Sequence, residues 1–319
     1  MKYLKHFSKY SLYEAYLIGS EFPETEGKST VSFCKLQNEV HYNQYILPVP
    51  QFLDILYTNT NGEKKFDSNI LDPSLGYTPI GLCVASTGFF GENEPARFIS
   101  LKFMNYTTPE TGSTENQYMY HGNYGIDITT IDNIQTVYNG GSIWGYLTAD
   151  WITDTENKIP DLFDINNEWN ISVLGTVNAY VVTDIDGKNK TDKILAEATA
   201  QTTWRTDLSI DNQLEEGYTP GACCCWKYHT LGTQQGDWYL PACGEIAILA
   251  VKRNEINTKL AAINTLYPND CIDGLHYNHF LTSTECNNER MYYVDTNTGK
   301  ISTYTKSYYY MSVIAMIQY

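Results

Sequence analysis

Short apolar segments separated by turn residues constrain the fold of this chain most. The stretch QFLDILYTNTNGEKKF (51–66) carries Asn61-Gly62, a dipeptide that favours the tight turn of a β-hairpin. Two strand-like stretches, 80–85 and 96–104, are then joined by a loop that contains glycine. Hairpin loops connect antiparallel strands, whereas parallel strands need long crossovers. The pattern therefore predicts antiparallel β-sheets.

The C-terminal segment continues this pattern. Residues 291–319 read as a strand, a turn, a second strand, a polar loop and a last strand. In the last strand, Met311, Val313, Ala315 and Ile317 alternate with other residues, as successive residues of a strand do. We therefore expect three strands at this end of the chain.

Helical spacing appears in three other segments. A capping-box pattern predicts a short helix over 8–18. Apolar residues recur at helical spacing in 192–200 and again in 245–263, and the last helix can break near Arg253-Asn254. The helices over 192–200 and 245–263 lie among the antiparallel strands, and this combination predicts an α+β fold.

Charge and hydropathy exclude two classes of partner. The chain has 37 acidic and 21 basic residues, a formal charge of −16, and no Lys/Arg-rich run that offsets it locally. Such a chain repels a phosphate backbone at long range, so we expect no nucleic-acid partner. It also lacks the run of about 20 apolar residues of a membrane span and the apolar core of a signal peptide. We expect no membrane insertion and synthesis without Sec export.

A cluster of thiols suggests chemistry at first. Cys223, Cys224 and Cys225 are adjacent and His229 follows, and thiolates and imidazole are zinc ligands. If the segment is a strand, however, consecutive side chains point to opposite faces and cannot converge on one ion. Buried free cysteine is also an ordinary small hydrophobic residue. We favour core packing and expect no cofactor, with a metal or redox site as the alternative.

Tyrosine is unusually abundant in this chain. There are 27 tyrosines against 11 phenylalanines and 6 tryptophans. Tyrosine combines an apolar ring with a polar tip, and it is favoured in binding surfaces and subunit interfaces. It is also a good strand former. Composition alone leaves both explanations open.

Three motifs follow one another in the second half of the chain: WYLP (238–241), GE (244–245) and STE (283–285). With the alternating last strand, they resemble the C-terminal repeat of a family of bacterial surface and phage-borne proteins that has a C-type-lectin-like fold. The segments IGLCV (80–84) and ISL (99–101) are similar to the first strands of that family. The resemblance implies one C-type-lectin-like domain over 76–319, with antiparallel sheets, two helices and a loop-rich insertion near 105–185.

The N-terminal part carries a second resemblance. VSFCKLQNEVHYN (31–43) reads as two strands around a polar tip. Together with the preceding helix it resembles the start of many virion proteins of gut-bacterial phages, including crAss-like phages. The pair of resemblances implies a head or tail fibre or decoration in the virion, oligomeric and often trimeric. Residues 1–75 would dock the chain on other virion proteins through this helix and hairpin.

The lectin-like resemblance also implies a ligand surface. In this fold the ligand is usually contacted by loops after the STE motif and before the final strand. Tyrosine and asparagine make such loops adaptable, and aromatic faces can stack on the sugar rings of a host glycan or contact a host protein. The expected ligand-binding residues are Tyr277, His279, Asn287, Asn288, Glu289, Arg290, Tyr304, Lys306 and Tyr308.

Three functions remain open from the sequence. The first is host-surface attachment, and the second is a purely architectural virion protein that uses the same loops for assembly. The third is a cysteine-dependent enzyme on the same scaffold. Calcium-dependent sugar binding is not expected, because Glu94-Pro95-Ala96 lacks the amide oxygen of the lectin calcium loops. We expect a non-enzymatic protein, since no recognised catalytic motif is present.

Overall fold

The computed structural model describes residues 49–91, 94–122, 125, 127–128, 144–146, 184–201, 219–276, 279–297, 300–308 and 310–319. The chain divides into two units, Met1–Val49 and Pro50–Tyr319. The division therefore lies before the boundary expected between 75 and 76. The predicted helix over 8–18 and hairpin over 31–43 lie outside the described residues.

The described part of the chain contains nine strands and four helices, and every strand pair in it is antiparallel. The predicted α+β class with antiparallel sheets is confirmed. One described helix, Pro220–Lys227, was not expected, and the second expected helix is divided in two. The strands are β1 Ile55–Asn59, β2 Lys64–Asp67, β3 Tyr77–Ala85, β4 Arg97–Phe103, β5 Trp144–Tyr146, β6 His279–Asn287, β7 Arg290–Asp295, β8 Lys300–Thr305 and β9 Ile314–Gln318. The helices are α1 Gly187–Gln201, α2 Pro220–Lys227, α3 Cys243–Val251 and α4 Arg253–Leu266.

The first sheet has the strand order β2-β1-β3-β4-β9. Its β1–β2 hairpin turns at Gly62, whose φ of 79° lies in the left-handed region that glycine tolerates, as the Asn-Gly pattern predicts. Strand β1 also pairs with β3, with Ile55 opposite Leu82. Because that pairing builds the hairpin into the sheet, residues 50–75 belong to the same unit as the strands that follow.

The predicted hairpin of β3 and β4 is confirmed, and Leu82 lies opposite Ile99 in its register. The C-terminal strand β9 adds to β4, with Phe98 opposite Ile317. The second sheet has the order β5-β8-β7-β6. Its strand β5 comes from the predicted loop-rich insertion, and Gly145 lies opposite Ile301 of β8.

Helix α2 corrects the interpretation of 223–225 as a strand. The segment is helical, and the residues from Pro220 to Cys225 are all buried. A proline at the first helical position suits a helix start, since its fixed φ is already helical. A short helix that is apolar on all sides has no polar face, and so it shows no helical period in the sequence.

The other helices agree with their predictions. Helix α1 covers 192–200 and begins earlier, at Gly187. The long helical segment is divided at Lys252, one residue before the expected break, into α3 and α4. None of the described helices has the length and apolar character to cross a membrane.

Two hydrophobic clusters cover the two faces of the first sheet. Leu82 belongs to one, together with residues of α3 and α4, and its neighbour Cys83 belongs to the other, with α2. Neighbouring residues of a strand point to opposite faces, so one strand supplies both clusters. Trp238 of the WYLP motif is completely buried in the second cluster.

Candidate functional site

The WYLP and GE motifs meet in a buried polar cluster. Arg97 Nε lies 2.7 Å from Glu245 Oε1, and the Tyr239 hydroxyl donates a hydrogen bond of 2.8 Å to the same oxygen. The other carboxylate oxygen accepts from the Ala242 backbone N–H at 2.8 Å, at the start of α3. Glu245 therefore acts as a structural acid at the start of this helix. Burial raises the pKa of Glu245 to about 7, and Arg97 opposes that rise.

The STE motif joins the same region through a second buried cluster. Thr284 Oγ1 donates to Asp184 Oδ2 at 2.6 Å and accepts from Cys243 N–H at 2.8 Å. Lys190 pairs with the same Asp184 carboxylate. At Gly187 a side chain would collide with α3, since a Cβ there would lie 2.6 Å from Ala242 N. These motif residues therefore hold α1, α3 and β6 together.

Three of the expected ligand residues belong to a continuous chain of rings that we call the aromatic ladder. Its members are His279, Tyr293, Tyr304, Tyr308, Tyr310 and Tyr118.

The aromatic ladder runs from the protein interior to its surface. Tyr293 is buried, and its ring stacks on Tyr304 at 4.6 Å between centroids. Tyr304 stacks in turn on Tyr308 at 4.0 Å, with 14° between the ring planes. Tyr310 and Tyr118 end the ladder, with an edge-to-face contact at 5.6 Å and exposed fractions of 56% and 36%. Stacked and edge-to-face pairs are favourable beyond the area they bury, so the exposed rings are pre-positioned.

Sequence reasoning missed three members of the ladder. Tyr310 stands in the tyrosine run that also contains Tyr308, so the run itself was a signal. Tyr293 is one of two adjacent tyrosines in β7, and the alternation of a strand could have placed it on the same face as Tyr304. Tyr118 is far away in the sequence, and only the tertiary structure brings it to Tyr310.

Four expected ligand residues form the turn between β6 and β7. Asn287 Oδ1 accepts hydrogen bonds from the backbone N–H groups of Glu289 and Arg290, both at 2.9 Å. Asn288, Glu289 and Arg290 are exposed. Arg290 Nη1 donates to Thr303 Oγ1 at 3.3 Å, which directs its guanidinium along β8. Tyr277 lies outside the described residues.

Lys306 does not lie where the sequence interpretation places it. Its side chain is completely buried and pairs with the equally buried Glu285. The ammonium therefore faces the interior and is not offered to a ligand at the surface. The Lys306 backbone N–H donates to the Glu289 carbonyl at 2.8 Å, so the residue fastens the β6–β7 turn to the loop that carries Tyr308.

His121 is buried beside this ion pair. Its Nδ1 lies 3.1 Å from the Gly122 carbonyl, and its Nε2 has no hydrogen-bond partner among the residues that the structure describes. Burial, together with the nearby Lys306 ammonium, lowers the pKa of His121 to about 3. The imidazole is therefore neutral in the folded protein.

Stability should fall on acidification because of His121. Its pKa is near 6.5 in the unfolded chain, so the unfolded state binds the proton first as the pH falls below 6.5. Between pH 7 and pH 5 this group should remove about 2 kcal/mol of unfolding free energy. Urea unfolding of the wild type and of His121→Gln at both pH values measures this loss of unfolding free energy. The variant has no imidazole at position 121 and should not show the loss. An unchanged pH dependence in the variant would contradict the assignment.

The thiol cluster is buried in α2. Burial raises the pKa of Cys223 to about 12 and also raises the pKa values of Cys224 and Cys225. A thiol of raised pKa stays protonated at neutral pH, and the protonated form is a poor nucleophile and metal ligand. His229, in contrast, is exposed. Within the described ranges, no three His, Cys, Asp or Glu side chains are grouped so that they could hold a metal ion.

The segment compared with lectin calcium loops is engaged in a different contact. The Glu94 carboxylate lies 2.8 Å from Arg97 Nη2, and the Pro95 carbonyl accepts from Arg97 Nη1 at 2.6 Å. Both oxygens therefore accept hydrogen bonds from the buried Arg97 guanidinium.

In comparisons with known proteins, no family model, no curated protein and no solved structure matches this chain.

Proposed function

We propose that this chain is a non-enzymatic adhesive or structural protein of a phage virion, a head or tail fibre or decoration. Its C-terminal part is a C-type-lectin-like domain that attaches to a glycan or protein of the host surface. The N-terminal residues before the first sheet, within the range 1–75 expected from the sequence, dock it on other virion proteins. The assembled form is a homo-oligomer, as the resemblance to often trimeric virion proteins implies. The observation that carries the proposal is the aromatic ladder.

The ladder has the properties of a contact surface. The exposed rings of Tyr310 and Tyr118 are supported from below by stacked tyrosines, so binding orders few additional side chains. Burial and the neighbouring Tyr304 raise the pKa of Tyr293, which keeps this buried ring of the ladder uncharged. Rigid amphipathic rings of this kind suit both sugar faces and protein partners.

The β6–β7 turn adds polar groups from the same region of the fold. Its exposed residue Asn288 can donate and accept hydrogen bonds, and the exposed Arg290 can donate them. The backbone bond between Lys306 and Glu289 connects this turn to the loop that leads to Tyr308. Polar groups of fixed position beside aromatic rings supply the specificity that apolar contact alone lacks.

Removing one exposed ring tests the attachment role. Tyr310→Ala should weaken binding of the labelled, full-length protein to a susceptible strain, within a panel of gut bacteria, by about tenfold, because central aromatic residues dominate binding interfaces. Leu266→Ala is the matched control, since Leu266 is a similarly exposed apolar residue on α4. Flow cytometry of the cells measures the binding.

Two results would count against attachment. Equal losses for Tyr310→Ala and Leu266→Ala would remove the aromatic ladder as the contact surface. A wild-type protein that binds no strain of the panel, while Tyr310→Ala impairs its oligomerisation, would favour the architectural role of the same rings.

A further inference from the structure

A cleft of about 570 Å³ lies apart from the aromatic ladder and shares no residue with it. One wall is formed by Thr58 of β1 and by residues 78–80 of β3, and the other by residues 228–233, which follow α2. Lys102 and Asp270 close one side, with Nζ and Oδ1 3.6 Å apart. Its volume is within the range of small-molecule binding sites.

The cleft is held in shape by close backbone packing. Gly232 has a φ of 82°, and a Cβ there would lie 2.7 Å from Thr58 Oγ1 and 2.8 Å from the Gly62 carbonyl oxygen. The two walls therefore touch at a point where only glycine fits. Thr233 Oγ1 accepts from the backbone of Thr230 at 2.8 Å, which fixes the turn. A preformed cleft loses little conformational entropy when a ligand binds to it.

Tyr228 forms the floor of the cleft. Its side chain is only 2% exposed, and its ring packs edge-to-face on Trp238 at 5.1 Å. Among the described residues its hydroxyl makes no hydrogen bond, and it belongs to the lining of the cleft, where a ligand can reach it. Burial and nearby Asp270 raise the pKa of Tyr228, so the hydroxyl keeps its proton and can donate it in a hydrogen bond.

The chemistry of the lining selects the ligand class. Lys102 and Asp270 neutralise each other, and the hydroxyls of Thr58, Thr78 and Tyr228 can both donate and accept. The Thr58 hydroxyl is buried, and its recorded contact with a carbonyl is long, at 3.4 Å. On the rim stands Leu231, which is 55% exposed. A saccharide has the complementary pattern of many hydroxyls and apolar C–H faces.

Charge decides between neutral and anionic ligands. The protein carries a formal charge of −16, which disfavours the approach of an anion. Within the cleft the Lys102 ammonium is already paired with Asp270. We infer that this cleft is a second binding site, specific for a neutral mono- or disaccharide. The inference stands independently of the proposed function.

Calorimetric titration of the full-length protein tests the cleft. The probes are glucose, galactose, mannose, N-acetylglucosamine, lactose and maltose, with glucuronate as the anionic comparison. At least one neutral sugar should bind, and Tyr228→Phe should weaken it about three- to tenfold, since the variant removes one hydrogen bond and keeps the ring. Leu231→Ala should also weaken binding, and its exposed position leaves folding intact.

Tyr310→Phe is the matched control because it removes a tyrosine hydroxyl outside the cleft. The inference is overturned if no neutral sugar binds, or if glucuronate binds more tightly than every neutral sugar of the set. It is also overturned if Tyr228→Phe and Leu231→Ala bind like the wild type. Sugar binding that disappears in Tyr310→Ala but not in the cleft variants would assign the sugar to the aromatic ladder instead.

Discussion

Replacing Arg97 with methionine should lower the free energy of unfolding by about 3–5 kcal/mol, one of the two largest effects expected for a single substitution here. Arg97 and Glu245 are both completely buried, and their charged atoms lie 2.7 Å apart. Without the guanidinium, the carboxylate keeps its bonds to Tyr239 and to the backbone of Ala242, but its charge is no longer balanced. The loss of unfolding free energy is large because the Glu245 charge stays buried without a partner charge.

The pH dependence of this variant follows from Glu245. Its pKa is about 7 in the folded protein, above the ordinary 4.5, so the folded state holds the proton more tightly. Stability therefore decreases as the pH rises through this window. Loss of Arg97 raises that pKa further, because Arg97 lowers it in the wild type. The destabilisation should thus be smaller at pH 5 than at pH 8.

Urea unfolding at the two pH values measures this effect. Glu94→Gln is the matched control, since it removes the other carboxylate of Arg97, which is 40% exposed, and should cost less than about 1 kcal/mol. The double variant Arg97→Met with Glu245→Gln should regain part of the stability, because it removes both charges. Equal losses for Arg97→Met and Glu94→Gln would show that the buried pair is not a source of stability.

Trp238→Ala should cost about 3–5 kcal/mol, because it leaves a large cavity in the second hydrophobic cluster. The indole packs against Tyr228, and its Cη2 lies 3.5 Å from the position of a Cβ on Gly81 of β3. Its Nε1 donates to Thr233 Oγ1 at 3.2 Å. The variant therefore loses apolar contacts on the sheet and a hydrogen bond to the turn that follows α2.

Trp226→Ala is the comparison for this substitution. Trp226 is also a tryptophan, but it is only partly buried at the edge of the same cluster. Its replacement should therefore lower the free energy of unfolding distinctly less. Thermal and urea unfolding of both variants give the difference. If Trp238→Ala were no more destabilising than Trp226→Ala, the indole of Trp238 could not be the centre of this cluster.

Local patterns were sufficient to predict much of the fold. The hairpin at Gly62, the β3–β4 pair and the last strand follow from alternation and turn residues, which act between neighbours in the chain. The break between α3 and α4 was also visible locally. Helix α2 was not, because a segment buried on all sides has no amphipathic period.

The candidate site was predictable only in part. His279, Tyr304 and Tyr308 were expected from their place near the STE motif, and the structure joins them in one ladder. Lys306 was expected in the ligand surface from its place in the loop before the final strand, but its side chain lies in the interior, where Glu285 neutralises it. An ion pair between residues that are far apart in the sequence cannot be recognised from the local pattern of residue types.

By itself the sequence determined most of the antiparallel strands and most of the helices, because these depend on the spacing of apolar residues along the chain. Only the tertiary structure decided which distant groups meet. It pairs Arg97 with Glu245, adds Tyr118 to the aromatic ladder and closes the cleft over Tyr228. Such contacts depend on how sheets and helices pack in three dimensions, and the order of residues does not state that directly.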